Sequence, residues 1–120
     1  MKTLLTTVSV VLTIATLTPI AVHADEYNTR QARSYIRDAE YHMRQAENYR
    51  RDANSYRRTA ESYRRQMDSY IKRNDTRNAE TYRRRMQNDL DRAADYDRKA
   101  VQADSRAADY LNDAARALRR

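Results

Sequence analysis

The chain has 120 residues, with 24 Lys and Arg against 17 Asp and Glu, and a net charge of +7 at neutral pH. It has no Cys, no Gly and one Pro, Pro19. Disulfide frameworks, thiolate metal sites, lipid-modified cysteine and Gly-rich phosphate loops are thereby excluded, and a chain so poor in Gly and Pro turns rarely.

Lys2 precedes an apolar, Thr-rich run over residues 4–22, with no acid before Asp25. The run closes on Val22-His23-Ala24, with small residues at the positions a signal peptidase reads. This pattern predicts a secretory signal peptide over 1–24, cut after Ala24. An uncleaved anchor is the rival, because a membrane span needs about 20 apolar residues. Five threonines and Pro19 weigh against it. Export implies the periplasm or the medium, with no membrane span left after cleavage.

Residues 25–120 hold 23 basic and 17 acidic residues, a net of +6. From Ala32 they follow a seven-residue repeat. Position a is Ala32, Ala39, Ala46, Ala53, Ala60 and Met67; position d is Tyr35, His42, Tyr49, Tyr56, Tyr63 and Tyr70. Column f is Arg37, Arg44, Arg51, Arg58, Arg65 and Lys72. Acids at Glu40, Glu47, Glu61 and Asp68 each stand four residues before a base, the order that supports a helix by ~0.2–0.5 kcal/mol per pair. A sustained a/d repeat predicts a coiled coil.

The phase breaks after Met67. Alanine resumes at Ala79 and runs through Met86, Ala93, Ala100, Ala107 and Ala114. Asn74-Asp75-Thr76 supplies turn formers and an N-cap candidate. The prediction is all-α: a helix at about 26–73, a turn at about 74–75 and a helix at about 76–119. The two form a long antiparallel coiled-coil hairpin, which can pair into a four-helix bundle. A turn centred between Asn74 and Asp75 sets Tyr49 against Ala100, Tyr56 against Ala93 and Tyr35 against Ala114. Every core tyrosine then meets Ala or Met across the seam and never another Tyr, the large-against-small arrangement that fills a thin interface. A parallel dimer of one long helix would have to absorb the gap between Met67 and Ala79. His42 and Asp89 break the d pattern, and a thin seam is expected to leave both partly wet, with Leu90 taking over Asp89's layer.

No catalytic set emerges. The chain after residue 24 has one His, no metal-ligand spacing and no base beside a nucleophile, so no enzyme, cofactor or metal is expected. What remains is charge. Residues 50–92 hold 13 basic and 7 acidic residues, whereas residues 25–49 and 93–120 are close to neutral. In the hairpin this puts the net charge in the turn half. The candidate anion-binding residues are Arg50, Arg51, Arg57, Arg58, Arg64, Arg65, Arg83, Arg84 and Arg85, since guanidinium forks onto phosphate and carboxylate. Arg50, Arg57 and Arg64 lack an acid four residues earlier, so they are expected to be the unneutralised ones. Tyr-Arg-Arg repeats can also bind single-stranded nucleic acid. The tyrosines are needed in the seam, however, and export leads away from cytoplasmic nucleic acid. A second apolar stripe, Ala94, Val101, Ala108 and Ala115, is the candidate self-association face. Leu90, Leu111 and Leu118, with Ile36 and Met43 on the partner helix, would broaden it, giving a homo-oligomer.

In style the chain resembles exported helical proteins. Ala-containing heptads occur in the outer-membrane murein lipoprotein, and basic helical arms in Skp-type chaperones. It lacks the former's N-terminal Cys and any segment for the latter's body of strands, and no residue role carries over. The function expected is a non-enzymatic envelope interaction protein. Its basic turn half would contact an anionic component: lipopolysaccharide, anionic lipid or peptidoglycan. The alternative is a holdase-like chaperone or stress protein gripping exported client chains through apolar and Tyr-rich surface.

Overall fold

A computed structural model of the chain describes residues 25–120. The expected signal peptide and its cleavage lie outside the described residues. Two α-helices, α1 (Glu26–Lys72) and α2 (Thr76–Arg119), form an antiparallel coiled-coil hairpin. Contacts divide the described residues into two compact units: an end unit, residues 25–41 with Arg106–Arg120, and a turn unit, His42–Ser105.

In the end unit Asp25 caps α1: its Oδ1 accepts from the Tyr27 backbone N–H at 3.3 Å, and its carbonyl accepts from Thr29 N–H at 3.2 Å. Such a cap satisfies amides that have no partner within the helix. Ala32, Ala114 and Ala117 form a buried cluster, with Tyr35, Ile36 and Leu118 packed against it. Tyr35 therefore lies against Ala114, as the register requires. Leu111 is buried and Leu118 half-buried. These two leucines belong to the hairpin's own packing and not to a second stripe, which corrects the sequence expectation. They sit at position e, on the margin of the seam, where a leucine side chain folds over neighbouring alanines.

The turn unit has the same seam with a different margin. Ala46, Ala53, Ala60, Ala79, Ala93, Ala100 and Ala103 are all buried. Ala46, Ala100 and Ala103 cluster, with Tyr49 packed on them. Alanine here has two effects. It is the best helix former, and its single methyl lets two backbones approach closely.

The turn is made without glycine. Asn74 takes the left-handed conformation, φ 58°, which asparagine tolerates better than most residues. Its N–H donates to the Ile71 carbonyl at 3.0 Å, and Asp75 N–H donates to the Tyr70 carbonyl at 2.9 Å. This is a Schellman closure of α1 with Arg73 as the cap, so the helix stops at Lys72. Asp75 then opens α2. Its Oδ1 accepts from Asn78 N–H at 3.2 Å and its Oδ2 from the Asn78 amide at 2.7 Å. These bonds, the side-chain one first, hold the Asp75 carboxyl below its ordinary range.

Candidate anion-binding surface

A helix turns about 100° per residue, so positions a and e project to one side of a seam and d and g to the other. The turn unit therefore has two unlike flanks. One carries the a-position alanines with column e at its margin. The other carries the d-position tyrosines with column g at its margin.

On the alanine flank e residues bridge the helices. The Arg50 guanidinium donates to Asp104 Oδ2, and Arg57 donates to Asp97 Oδ2. Arg57 also donates to Asn54 Oδ1 at 2.9 Å. Arg64 has a leucine, Leu90, at the corresponding place on α2. It turns back along its own helix to Glu61, with contacts of 3.0 and 2.7 Å. Arg83 grips Glu80 in the same way at 2.8 and 2.6 Å. The guanidinium hydrogen bonds hold the Glu61 and Glu80 carboxyls below their ordinary range and raise Arg64 and Arg83 above theirs. Pairs this exposed are screened by solvent and contribute little to stability. Their consequence for ligand binding is larger: the charges on this flank are already matched.

On the tyrosine flank the rings interleave. Tyr96 lies between Tyr49 and Tyr56, with ring centroids 6.1 and 5.6 Å away. Tyr82 lies between Tyr63 and Tyr70 at 6.0 and 5.4 Å. Every core tyrosine here thus touches another Tyr, contrary to the expectation from facing layers. Rings from successive layers project to the same side and meet on the diagonal, at separations where offset aromatic pairs are favourable. Asp89 interrupts the ladder between Tyr56 and Tyr63. It is 7% exposed, whereas Leu90 is 40% exposed. The carboxylate, not the leucine, occupies the layer, with the Arg92 guanidinium 3.9 Å away.

Over these rings lie cations. Arg73 stands 5.7 Å from the Tyr70 centroid, Arg85 5.1 Å from Tyr82 and Arg92 5.7 Å from Tyr56. The Lys99 ammonium is 4.9 Å from Tyr96 and 6.0 Å from Tyr49. All four belong to column g. An aromatic face positions a cation, worth ~0.5–1 kcal/mol when exposed, without cancelling its charge.

No protein-family model, curated protein or solved structure matches this chain. The surface therefore has to be read from its own geometry.

Of the nine arginines expected to bind anions, six are engaged by acids. Arg50, Arg57, Arg64 and Arg83 are matched as above, Arg51 pairs with Glu47 at 3.0 Å, and Arg84 is 3.7 Å from Glu80. The expectation that Arg50, Arg57 and Arg64 stand unneutralised is overturned. It considered acids four residues earlier and missed those across the seam and three residues away. Arg58 is exposed and has no carboxylate partner among the described residues, and exposed Arg65 makes no ion pair there but lies near enough to Glu61 to help hold its carboxyl down. Arg85 lies over a ring instead. Of the four i,i+4 pairs expected on the outside of α1, Glu47–Arg51 forms, and Glu61 turns to Arg64 instead.

Arg73, Arg92 and Lys99 were missed. A signal for them exists: Tyr70–Arg73, Tyr82–Arg85 and Tyr96–Lys99 repeat a base three residues after a core tyrosine, one helical step from d to g. Ala94, Val101 and Ala108 are exposed and Ala115 half-buried, with Val101 at 66%. In the end unit a shallow depression of about 550 Å³ is lined by Arg30, Arg33, Ile36 and Arg37, all from α1. Among the described residues no three His, Cys, Asp or Glu side chains cluster as a metal site, and no helix is long and apolar enough to cross a membrane.

Proposed function

We propose that this chain is an exported, non-enzymatic interaction protein whose turn unit contacts an anionic component of the cell envelope. The observation that carries the reading is the mismatch of charge in the turn unit, with 16 basic residues against 11 acidic ones. Its surplus falls partly on cations that make no ion pair among the described residues, the exposed Arg58 and Arg65 and the ring-held Arg85. Periplasmic or secreted location, and phosphate or carboxylate as the anion, belong to the same proposal.

Replacing Arg58, Arg65 and Arg85 by Gln keeps side-chain length and helix propensity while removing three unspent charges. At ~1 kcal/mol per charge near an anionic surface, affinity for phosphatidylglycerol vesicles or lipopolysaccharide is expected to fall roughly tenfold to a hundredfold. Its salt dependence becomes shallower. The control changes Arg106, Arg116 and Arg119 of the end unit to Gln. Equal losses from both triple variants would mean that net charge alone governs binding.

Pairing of hairpins into a four-helix bundle is a second part of the proposal, supported by Val101 and its exposed alanine neighbours. Val101→Glu with Ala108→Glu should yield a smaller, still helical particle in sedimentation; an unchanged mass rejects pairing through this face. The holdase reading draws on exposed Tyr27, Tyr41 and Ile71. Apolar capture of clients survives high salt, where anion contacts do not, and that difference separates the two readings.

A further inference from the structure

The tyrosine flank of the turn unit has a period. Arg85, Arg92 and Lys99 follow one another at seven-residue intervals on α2, so their charges recur roughly every 10 Å along the seam. Half-buried tyrosines lie beneath them. On the α1 side, column g of the turn unit is Gln45, Asp52, Thr59, Gln66 and Arg73, mostly neutral hydrogen-bonding side chains with a single acid. A row of cations, a row of ring faces and a row of amides and hydroxyls thus run side by side.

From this juxtaposition we propose that the tyrosine flank binds a linear anionic polysaccharide laid along the seam, with about one carboxylate or phosphate per disaccharide. Each part of such a chain has a counterpart. The repeating anion falls on the g-column cations, the C–H faces of the sugar rings on the tyrosines, and the hydroxyls on Gln45, Thr59 and Gln66. A fluid lipid surface presents headgroups without fixed spacing and offers no rings to cover. The inference rests on the anion-binding reading above and names both its face and its ligand class.

The test uses the chain from Asp25 and hyaluronan oligosaccharides, which carry one carboxylate per disaccharide. Arg85, Arg92 and Lys99 are changed to Gln in one variant; Arg44, Lys72 and Arg77, exposed at column f and outside the proposed binding residues, are changed to Gln in another. Both lose three charges, and circular dichroism checks that both stay helical. The expected result is tenfold or greater weakening in the first variant and under threefold in the second. Arg85→Lys with Arg92→Lys should stay close to the starting affinity. The chain has no Trp or Phe, and six of its ten tyrosines lie on this flank, so tyrosine emission should change on binding.

Equal weakening in both variants, or unchanged tyrosine emission, would overturn the inference while leaving general anion binding intact. So would binding to phosphatidylglycerol vesicles or to a single-stranded oligonucleotide but not to hyaluronan. Failure to bind any of the three would remove the anion-binding reading as well.

Discussion

On the alanine flank of the turn unit arginines face carboxylates, and on the tyrosine flank cations face rings. Both margins come from one heptad, so the contrast arises in the core residue beside each. A methyl at position a leaves its margin open, and a column-e arginine reaches across it to an aspartate on the other helix, as Arg57 reaches Asp97. A phenol ring at position d fills the other side and offers its face to whatever stands at g. Beside small core residues the charge is spent on carboxylates; beside the aromatic ones Arg73, Arg85 and Lys99 are held over rings without an ion pair, and Arg92 shares its ring contact with the Asp89 carboxylate. Counting arginines along the chain does not distinguish the two, because the choice of partner depends on the seam.

The sharpest way to break the contrast is to thicken the alanine flank. Ala53 is fully buried, and Ala53→Leu forces extra volume between the helices. Overpacking of this kind costs about 1–3 kcal/mol, read as a lower midpoint in urea or thermal unfolding, and it should loosen the Arg50–Asp104 and Arg57–Asp97 bridges. Ala94→Leu, at an exposed position, is the matched control and should change stability little. Comparable losses from both would show that close approach is not what the seam alanines provide.

A second change sharpens the tyrosine flank. Asp89 is a buried carboxylate at a d position whose neighbours in the column are Tyr82 and Tyr96, and a buried polar group with poor pairing costs about 1–3 kcal/mol in proteins. Asp89→Leu is therefore expected to raise stability by roughly 1 kcal/mol and to free Arg92 completely. A loss of stability would mean that the Asp89–Arg92 contact is stronger than its 3.9 Å separation implies.

The smallest effect is the response to acid. Glu61, Glu80 and Asp75 titrate below their ordinary values because Arg64, Arg83 and Asn78 hydrogen-bond their charged forms. A carboxyl depressed on folding contributes stability that is complete above its unfolded value and is lost as pH falls through the folded one. Arg64 and Arg83 are raised by the same two pairs, so they stay charged at acid and neutral pH and add no transition of their own there. The melting midpoint should thus decline modestly below about pH 4.5, and Glu61→Gln with Glu80→Gln should flatten that decline. None of these carboxylates lies on the tyrosine flank, so tyrosine ring contacts followed by NMR should outlast the lost pairs. An undiminished decline in the double variant would assign it to other acids.

How far the sequence could be read depends on which dimension a feature occupies. Features that run along the chain were legible. The alanine and tyrosine columns, the break at Asn74–Asp75 and the setting of Tyr49 against Ala100 follow from spacing alone. Features that run across the seam were not. Facing layers treat the interface as a ladder of isolated rungs, so the diagonal contacts of Tyr96 with Tyr49 and Tyr56 were invisible. The same simplification hid the bridges from Arg50 and Arg57 to α2 and misjudged Leu111, which closes over the core from position e. Asp89 was misread for a related reason. Alanine makes the seam narrow, and in a narrow seam even a short side chain at d is enclosed.

The turn also has a consequence for the order in which the chain folds. Asp75 serves both helices, as the last hydrogen-bonded residue of the α1 closure and as the cap of α2, so the connection between them is specified by bonds of its own. Tyr70 and Tyr82 meet across only the eleven residues between them, whereas Tyr35 and Tyr110 meet only after most of the chain has been laid down. Closing a short loop costs less entropy than closing a long one, and each formed layer shortens the loop left to the next. The hairpin should therefore close like a zip from Asn74 outward. Substitutions at Tyr70 or Asp75 would then slow refolding, and substitutions at Tyr35 would mainly speed unfolding, a distinction that stopped-flow kinetics reads directly.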